Sequence, residues 1–324
     1  MVGMGLWALA ACSGGAAEEV AAGRAMYYWR TEWRLDSVER AFLRQHDVGT
    51  LYVRYFDVTL REDGRVMPNA TLRFADSVPR DIEVVPTVFM TENCLRARLD
   101  SVAERLVARV VQMNETHGVK GVSEMQIDCD YTKRSRAAYY AFLHQLRAAA
   151  RQHGMRLSAT IRLHQLSMDA PPVDYGVLMV YNTGDVRHPR GHNPLLDARD
   201  VRPYLRHLAA YPLPLCAAYP IFTWQSVYDQ QGFRSLLYGR PAAADYVVEA
   251  PTRLPAPTRG AGDVVLQPGD TVKLWRVEAE ELQRIERMVG QERPGINRRI
   301  ILYHLDNQQI KNYKTTDYEK IFNP

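Results

Sequence analysis

The 324-residue sequence is informative first for what it lacks. Its four cysteines, Cys12, Cys94, Cys129 and Cys216, show no Cys-x-x-Cys spacing, which leaves a zinc ribbon, a dithiol redox motif and a disulfide framework unsupported. Basic residues do not gather into runs. Lys and Arg number 41 against 37 Asp and Glu, a net charge of +4, and without a basic stripe a nucleic-acid partner is not expected. No Gly-x-Ser-x-Gly elbow is present, which argues against a serine hydrolase of the α/β type. A Gly-rich phosphate loop after the first strand candidate is missing too, since Tyr28-Trp29-Arg30-Thr31-Glu32 contains no glycine. What is present is ordinary: 46% apolar and 24% charged residues, the balance of a soluble globular protein with a large core.

The first 11 residues carry no charge and fall short of the ~20 needed to span a bilayer. Their length suits the apolar part of a secretory signal, although no Lys or Arg precedes it. Leu9-Ala10-Ala11-Cys12 resembles the lipobox of bacterial lipoproteins, which implies lipidation at Cys12. The small and polar residues up to Gly23 then read as a flexible tether. The expectation is a signal and tether over 1–23, a folded domain over 24–324, and a lipid-anchored address at a bacterial cell envelope, on the outer membrane or the periplasmic face.

Beyond Gly23, short β-rich runs alternate with helical stretches. Strands are expected at Ala25–Arg30, Thr50–Val58, Glu83–Met90, Ser123–Asp130, Arg156–His164, Gly176–Asn182, Pro214–Phe222 and Arg299–Asp306. Helices are expected at Leu35–His46, Leu95–His117, Arg134–His153, Ala198–Leu208 and Val277–Val289, with weaker helical patterns after strands two and five. Eight strands feeding crossovers imply an α/β fold, a single (β/α)8 TIM barrel. A Pro-, Gly- and Ala-rich insert over 239–270 reads as a long loop after strand seven, with room for one hairpin.

In parallel barrels the C-terminal strand ends carry the site. Here they offer Arg30 and Glu32, Arg54 and Asp57, Thr91 and Glu92, Asp128 and Asp130, Arg162 and His164, Tyr181 and Asn182, Tyr219 and Trp224, then His304, Asp306 and Asn307. Alternation along a strand puts Gln126, Asp128 and Asp130 on one face and Met125, Ile127 and Cys129 on the other. The apolar set suits the layer against the helices, so the acids point inward and Cys129 does not serve as a nucleophile. Two nearby carboxylates of low solvent access cannot both ionise freely, which suits acid-assisted glycosidic cleavage. Asp130 is the candidate general acid and Asp128 the positioning carboxylate, with Asp57, Glu92 and Asp306 in reserve.

The stretch Gln126-Ile127-Asp128-Cys129-Asp130 resembles the fourth strand of chitinase-type glycoside hydrolase barrels, and Met179-Val180-Tyr181-Asn182 is similar to their sixth. That pattern ends in Glu, whereas the alternate positions here read Gln126, Asp128, Asp130 and Thr132. Either Asp130 takes the acid's place or the acid is absent. Across the chain from Tyr27 onward, segments such as Tyr27-Tyr28-Trp29-Arg30, Leu51–Val58, Ser158–Leu166 and Tyr181-Asn182-Thr183-Gly184 resemble Bacteroidetes envelope lipoproteins with glycosidase-like barrels. Because that family has no established activity, the resemblance implies a fold and an address more than a reaction.

Two functions follow as expectations: hydrolysis of a glycan, or carbohydrate binding on a barrel that has lost the chemistry. An N-acetylated substrate could supply its own nucleophile, which would explain the missing third carboxylate. Arg30, Arg54 and Arg162 either form a buried ion-pair network with the acids or grip an acidic ligand. Glu92, His164, Tyr181, Asn182 and Asp306 are further ligand-binding candidates, with Tyr219 and Trp224 as a sugar-stacking platform. His188 and His192 flank Pro189 and Gly191, so they sit on a loop rather than a helix face and do not suggest zinc. No nucleotide, metal or redox cofactor is indicated.

Overall fold

A computed structural model describes residues 20–237, 244–254 and 264–324. The expected lipidation site at Cys12 lies outside these residues, as does part of the insert expected over 239–270. Eight parallel strands form the barrel: β1 Gly23–Tyr28, β2 Val48–Leu60, β3 Glu83–Met90, β4 Glu124–Asp128, β5 Arg156–Arg162, β6 Tyr175–Met179, β7 Leu215–Pro220 and β8 Arg299–Tyr303. Each pairs with its chain neighbour, and β8 returns to pair with β1, Gly23 opposite Arg299 and Met26 opposite Leu302. The closed α/β barrel expected from the alternation is present.

Period-two patterning decides which residues fill it. Ala25 and Tyr27 of β1, Tyr52 of β2, Val85 of β3, Tyr175 and Val177 of β6, and Cys216 and Ala218 of β7 make the barrel interior. Their neighbours Met26, Tyr28, Leu51, Val53, Met125 and Ile127 face outward into the helical layer. That layer holds α1 Ser37–Gln45, α2 Val102–His117, α3 Arg136–Gln152, α4 Ala198–Leu205, α5 Ala279–Glu292 and α6 Thr315–Ile321. Helix α1 starts with a reciprocal capping box: Asp36 accepts from the Glu39 amide at 2.9 Å, and Glu39 accepts from the Asp36 amide at 3.0 Å. Helix α2 stops at Gly118, whose φ of +65° gives the left-handed turn that glycine adopts without strain.

Helices are missing where the pattern was weak. After β2 the chain forms a strand, Val66–Asn69, antiparallel to β2, and then the two-residue strand Arg73–Phe74 beside Glu32–Trp33. After β5 there is only a single 3-10 turn, Leu163–Ser167. The insert differs from the expected loop. It starts at Trp224 and makes a four-stranded antiparallel sheet in the spatial order Gly232–Leu237, Trp224–Asp229, Thr271–Trp275, Tyr246–Val247. Val227, Leu237, Val248, Leu254, Leu266 and Val272 give it a core of its own. The β-branched and aromatic residues that make these strands lie mostly on either side of the Pro- and Gly-rich run, which masked them. The sheet is pinned to the loop after β6 by Tyr228 Oη donating to the Val186 carbonyl at 2.6 Å and Asn193 Nδ2 donating to the Arg276 carbonyl at 2.6 Å. Among the described residues, no helix is long and apolar enough to cross a membrane.

Candidate active-site cleft

A cleft of about 930 Å³ opens at the C-terminal ends of the strands. Its floor is aromatic. The Tyr303 ring, at the tip of β8, lies 5.9 Å from Trp29, 5.2 Å from Tyr181 and 5.4 Å from Phe222, and Phe222 lies 5.4 Å from Trp224. Trp29, Tyr181 and Trp224 each keep part of their surface open.

The arginines are committed to acids of the protein itself. Arg162 Nη2 donates to Asp128 Oδ1 at 2.9 Å, and Thr160 Oγ1 donates to the same oxygen at 2.6 Å. Burial disfavours a charge on Arg162, yet Asp128, Tyr181 and Asp130 outweigh it and hold the guanidinium protonated. Arg54 Nε donates to Asp57 Oδ1 at 2.7 Å, and its guanidinium lies over the Trp29 ring at 5.7 Å. Arg30 Nη2 donates to Glu39 Oε2 and to the Arg34 carbonyl, both at 2.9 Å, while its Nη1 is 4.0 Å from Asp306. The Arg30 guanidinium also covers the Tyr28 ring at 4.5 Å. Of the two readings of the arginines, the geometry matches the ion-pair network.

Arg30, Arg54, Asp128, Arg162, Tyr181, Asn182, Trp224 and Asp306 all line the cleft. Asn182 adopts a φ of +55° as its amide turns to the Leu195 carbonyl at 2.7 Å. Four other candidates sit elsewhere. Strand β4 ends at Asp128, so alternation does not extend to Asp130, which is exposed and outside the cleft lining. His164 falls on the 3-10 turn, not on the strand, and is exposed. Glu92 accepts from Ser135 Oγ at 2.6 Å and Thr132 Oγ1 at 2.7 Å; these bonds hold its carboxyl below the usual range and fix the loop after β4. Tyr219 is an outward residue of β7, fully buried against the helices, with its hydroxyl on Asn297 Oδ1 at 2.8 Å. The platform expected from Tyr219 and Trp224 is built instead on Tyr303, Trp29, Phe222 and Trp224.

Residues missed as site candidates include Trp29, Phe89, Phe222, Thr223, Tyr303 and Gln309. The available signal was an aromatic residue one position before the polar tips of the first and last strands, Trp29-Arg30 and Tyr303-His304. His188 and His192 diverge: His188 Nδ1 is 3.4 Å from Asp185, and His192 Nδ1 is 2.9 Å from Asp200. His192, Asp197 and Asp200 present ligand atoms within 4.8 Å of one another. Both Asp197 oxygens accept from the Arg199 side chain, at 2.9 and 2.7 Å, so an arginine already occupies that acid.

No family model and no curated protein matches the chain. Solved structures do. A chitinase from Chromobacterium violaceum ATCC 12472 is 14% identical with a TM-score of 0.58, over 93% of this chain and 98% of that one. The spore cortex-lytic enzyme SleL of Bacillus megaterium QM B1551 is 11% identical with a TM-score of 0.54, over 95% and 75%. Catalytic domain 2 of the Ostrinia furnacalis Group II chitinase, in complex with an N-acetylchitooligosaccharide, is 13% identical with a TM-score of 0.50, over 92% and 95%. At these identities the likeness is one of fold: the chain shares a (β/α)8 barrel with these proteins.

Proposed function

We propose that the cleft binds a glycan of the N-acetylhexosamine class and holds it without cleaving it. The observation that carries this reading is the Asp128–Arg162 ion pair at the cleft floor. An acid catalyst must hold a proton near the leaving oxygen, but Asp128 is an acceptor claimed by a guanidinium and a hydroxyl, which suits positioning. Asp130, at the place where the chitinase pattern has Glu, stands exposed beyond the strand end. The aromatic floor supplies the other half of the reading, because a pyranose face is apolar enough to lie on an aromatic ring. The chitinase-type neighbours support the ligand class; one of them is solved with a chito-oligosaccharide.

Cleavage is the second reading, and Asp130 favours it. The residue is one step from Tyr131, whose carbonyl is held by Gln165, and it lies exposed within electrostatic reach of Arg162. The test is incubation of the protein with N-acetylchitooligosaccharides, following binding by calorimetry and products by mass spectrometry. Binding with intact ligand is expected. Product formation that disappears in Asp130→Asn, with an unchanged melting temperature, would replace the first reading with the second. The proposed setting is a bacterial envelope, with Cys12 as the lipid attachment. Cys12→Ala is expected to move the protein from the membrane fraction to the soluble one, and an unchanged distribution would remove the anchor.

A further inference from the structure

Polar atoms enclosed without a hydrogen-bond partner are uncommon in folded proteins, because leaving them so costs stability. Three residues of the cleft wall each hold one: Arg30 at Nε, Arg162 at Nη1 and His304 at Nδ1. Each arginine gives its Nη2 to a carboxylate, Arg30 to Glu39 and Arg162 to Asp128. His304 differs. Its ring forms part of the cleft wall immediately after Tyr303, the centre of the aromatic floor, and its rings meet at 5.1 Å between centroids. Asp306 and Arg30, which also line the cleft, are the charged groups acting on it.

We propose that His304 is a ligand-reading residue of the cleft, its imidazole hydrogen-bonding a hydroxyl of the bound glycan. The inference rests on the glycan-binding reading above and names the group on the ligand that is recognised. A hydroxyl both donates and accepts, so it complements an imidazole in either tautomer. Burial lowers the His304 pKa to about 4, with Arg30 acting in the same direction and Asp306 against it, so the ring is uncharged near neutrality. A charged imidazole would instead select an anion. Opposite charges on Asp306 and Arg30 flank the ring and leave this wall with no net preference for either sign. A neutral, two-way hydrogen-bonding group fits that environment, and sugar hydroxyls are such groups. The enclosed Nδ1 leaves the ring with hydrogen-bonding capacity that the protein's own groups do not use.

The test compares the wild type with His304→Phe, which keeps the ring and removes its polar atoms, and His304→Gln, which restores a donor and an acceptor. N-acetylchitopentaose is the probe, with affinity from calorimetry and melting temperature from scanning calorimetry. The phenylalanine variant is expected to bind about tenfold more weakly while melting at or above the wild-type temperature. The glutamine variant is expected to recover part of the affinity. A phenylalanine variant with unchanged affinity overturns the proposal. So does weaker binding accompanied by a lower melting temperature and no recovery in the glutamine variant, because that pattern belongs to a packing role. A phenylalanine variant that does not fold leaves the glutamine variant to decide: affinity within a few-fold of wild type supports the proposal, and complete loss overturns it. If the wild type itself does not bind the probe, the glycan-binding reading fails, and this inference falls with it.

Discussion

The lower and upper ends of the barrel interior both supply donors to an acid but differ in how far they enclose it. At the bottom, Glu124 is sealed: its Oε1 accepts from Tyr175 Oη at 2.5 Å and Ser158 Oγ at 2.7 Å, and Arg156 lies 3.6 Å from Oε2. The network continues through the 2.7 Å contact of the Tyr52 and Tyr175 hydroxyls to Arg299, whose Nη1 donates to Tyr52 Oη at 3.1 Å. Burial raises the Glu124 pKa against the pull of these donors. Four residues along the same face of β4, Asp128 also has its donors, but it forms part of an open cleft whose walls keep enclosed polar atoms without partners. The lower acid is closed in by the protein's own groups, whereas the upper one faces an open cleft, which is the end the glycan-binding proposal uses.

The largest expected effect comes from the sealed end. Glu124→Ala leaves Tyr175, Ser158 and Arg156 facing an empty acceptor position and is expected to cost about 3–5 kcal/mol, read from chemical denaturation. A loss under 1 kcal/mol would show that the lower network is dispensable. Next is a buried acid outside both ends. Glu286 of α5 is fully buried, neither oxygen has a hydrogen-bond partner, and burial raises its pKa to about 9. Because the folded state favours the protonated form, the stability it allows is full below about pH 4.5 and is lost as pH rises toward about 9. Glu286→Gln is expected to gain about 3 kcal/mol at pH 7 and nothing at pH 4, and to flatten the pH dependence of the melting temperature. A parallel shift at both pH values would refute the assignment. At the open end the response is read in affinity more than in stability. Trp29→Leu is expected to weaken N-acetylchitopentaose binding about tenfold while lowering the melting temperature by only a few degrees. Smallest of all, Asp130→Asn is expected to leave both affinity and melting temperature unchanged; a clear loss of affinity would bring Asp130 back into the cleft.

The barrel was legible because each strand carries its own period-two pattern, and closure follows from having eight of them in order. Asp128 and Arg162 were legible for the same reason: both lie on the strand proper, where alternation fixes the direction of a side chain. Asp130 and His164 failed at one common point. The alternation of apolar and polar residues continues for two positions past the strand end, so the sequence looks like strand where the chain has already turned into loop. Tyr219 failed by parity, since a shift of one residue moves a side chain from the interior to the helical layer. The same parity hid Tyr303, an aromatic residue beside the polar His304 that drew attention. The insert sheet was hidden by composition, its short strands being separated by the Pro- and Gly-rich stretch that dominates the window.

Glu39 is the residue where the two ends of the chain meet. Fully buried, it caps α1, accepts from Arg30 at 2.9 Å, and receives the Asn307 amide at 3.1 Å through its other oxygen. Asn307 adds a second tie, donating from Nδ2 to Asp36 at 2.6 Å. One side of the cleft is therefore a seam, held by a carboxylate near the beginning of the chain and a backbone amide 268 positions later. That wall is complete only when segments 268 positions apart have both folded, and a chain cut short before Asn307 would carry the aromatic residues of β1 without the clasp that sets Arg30 beside them.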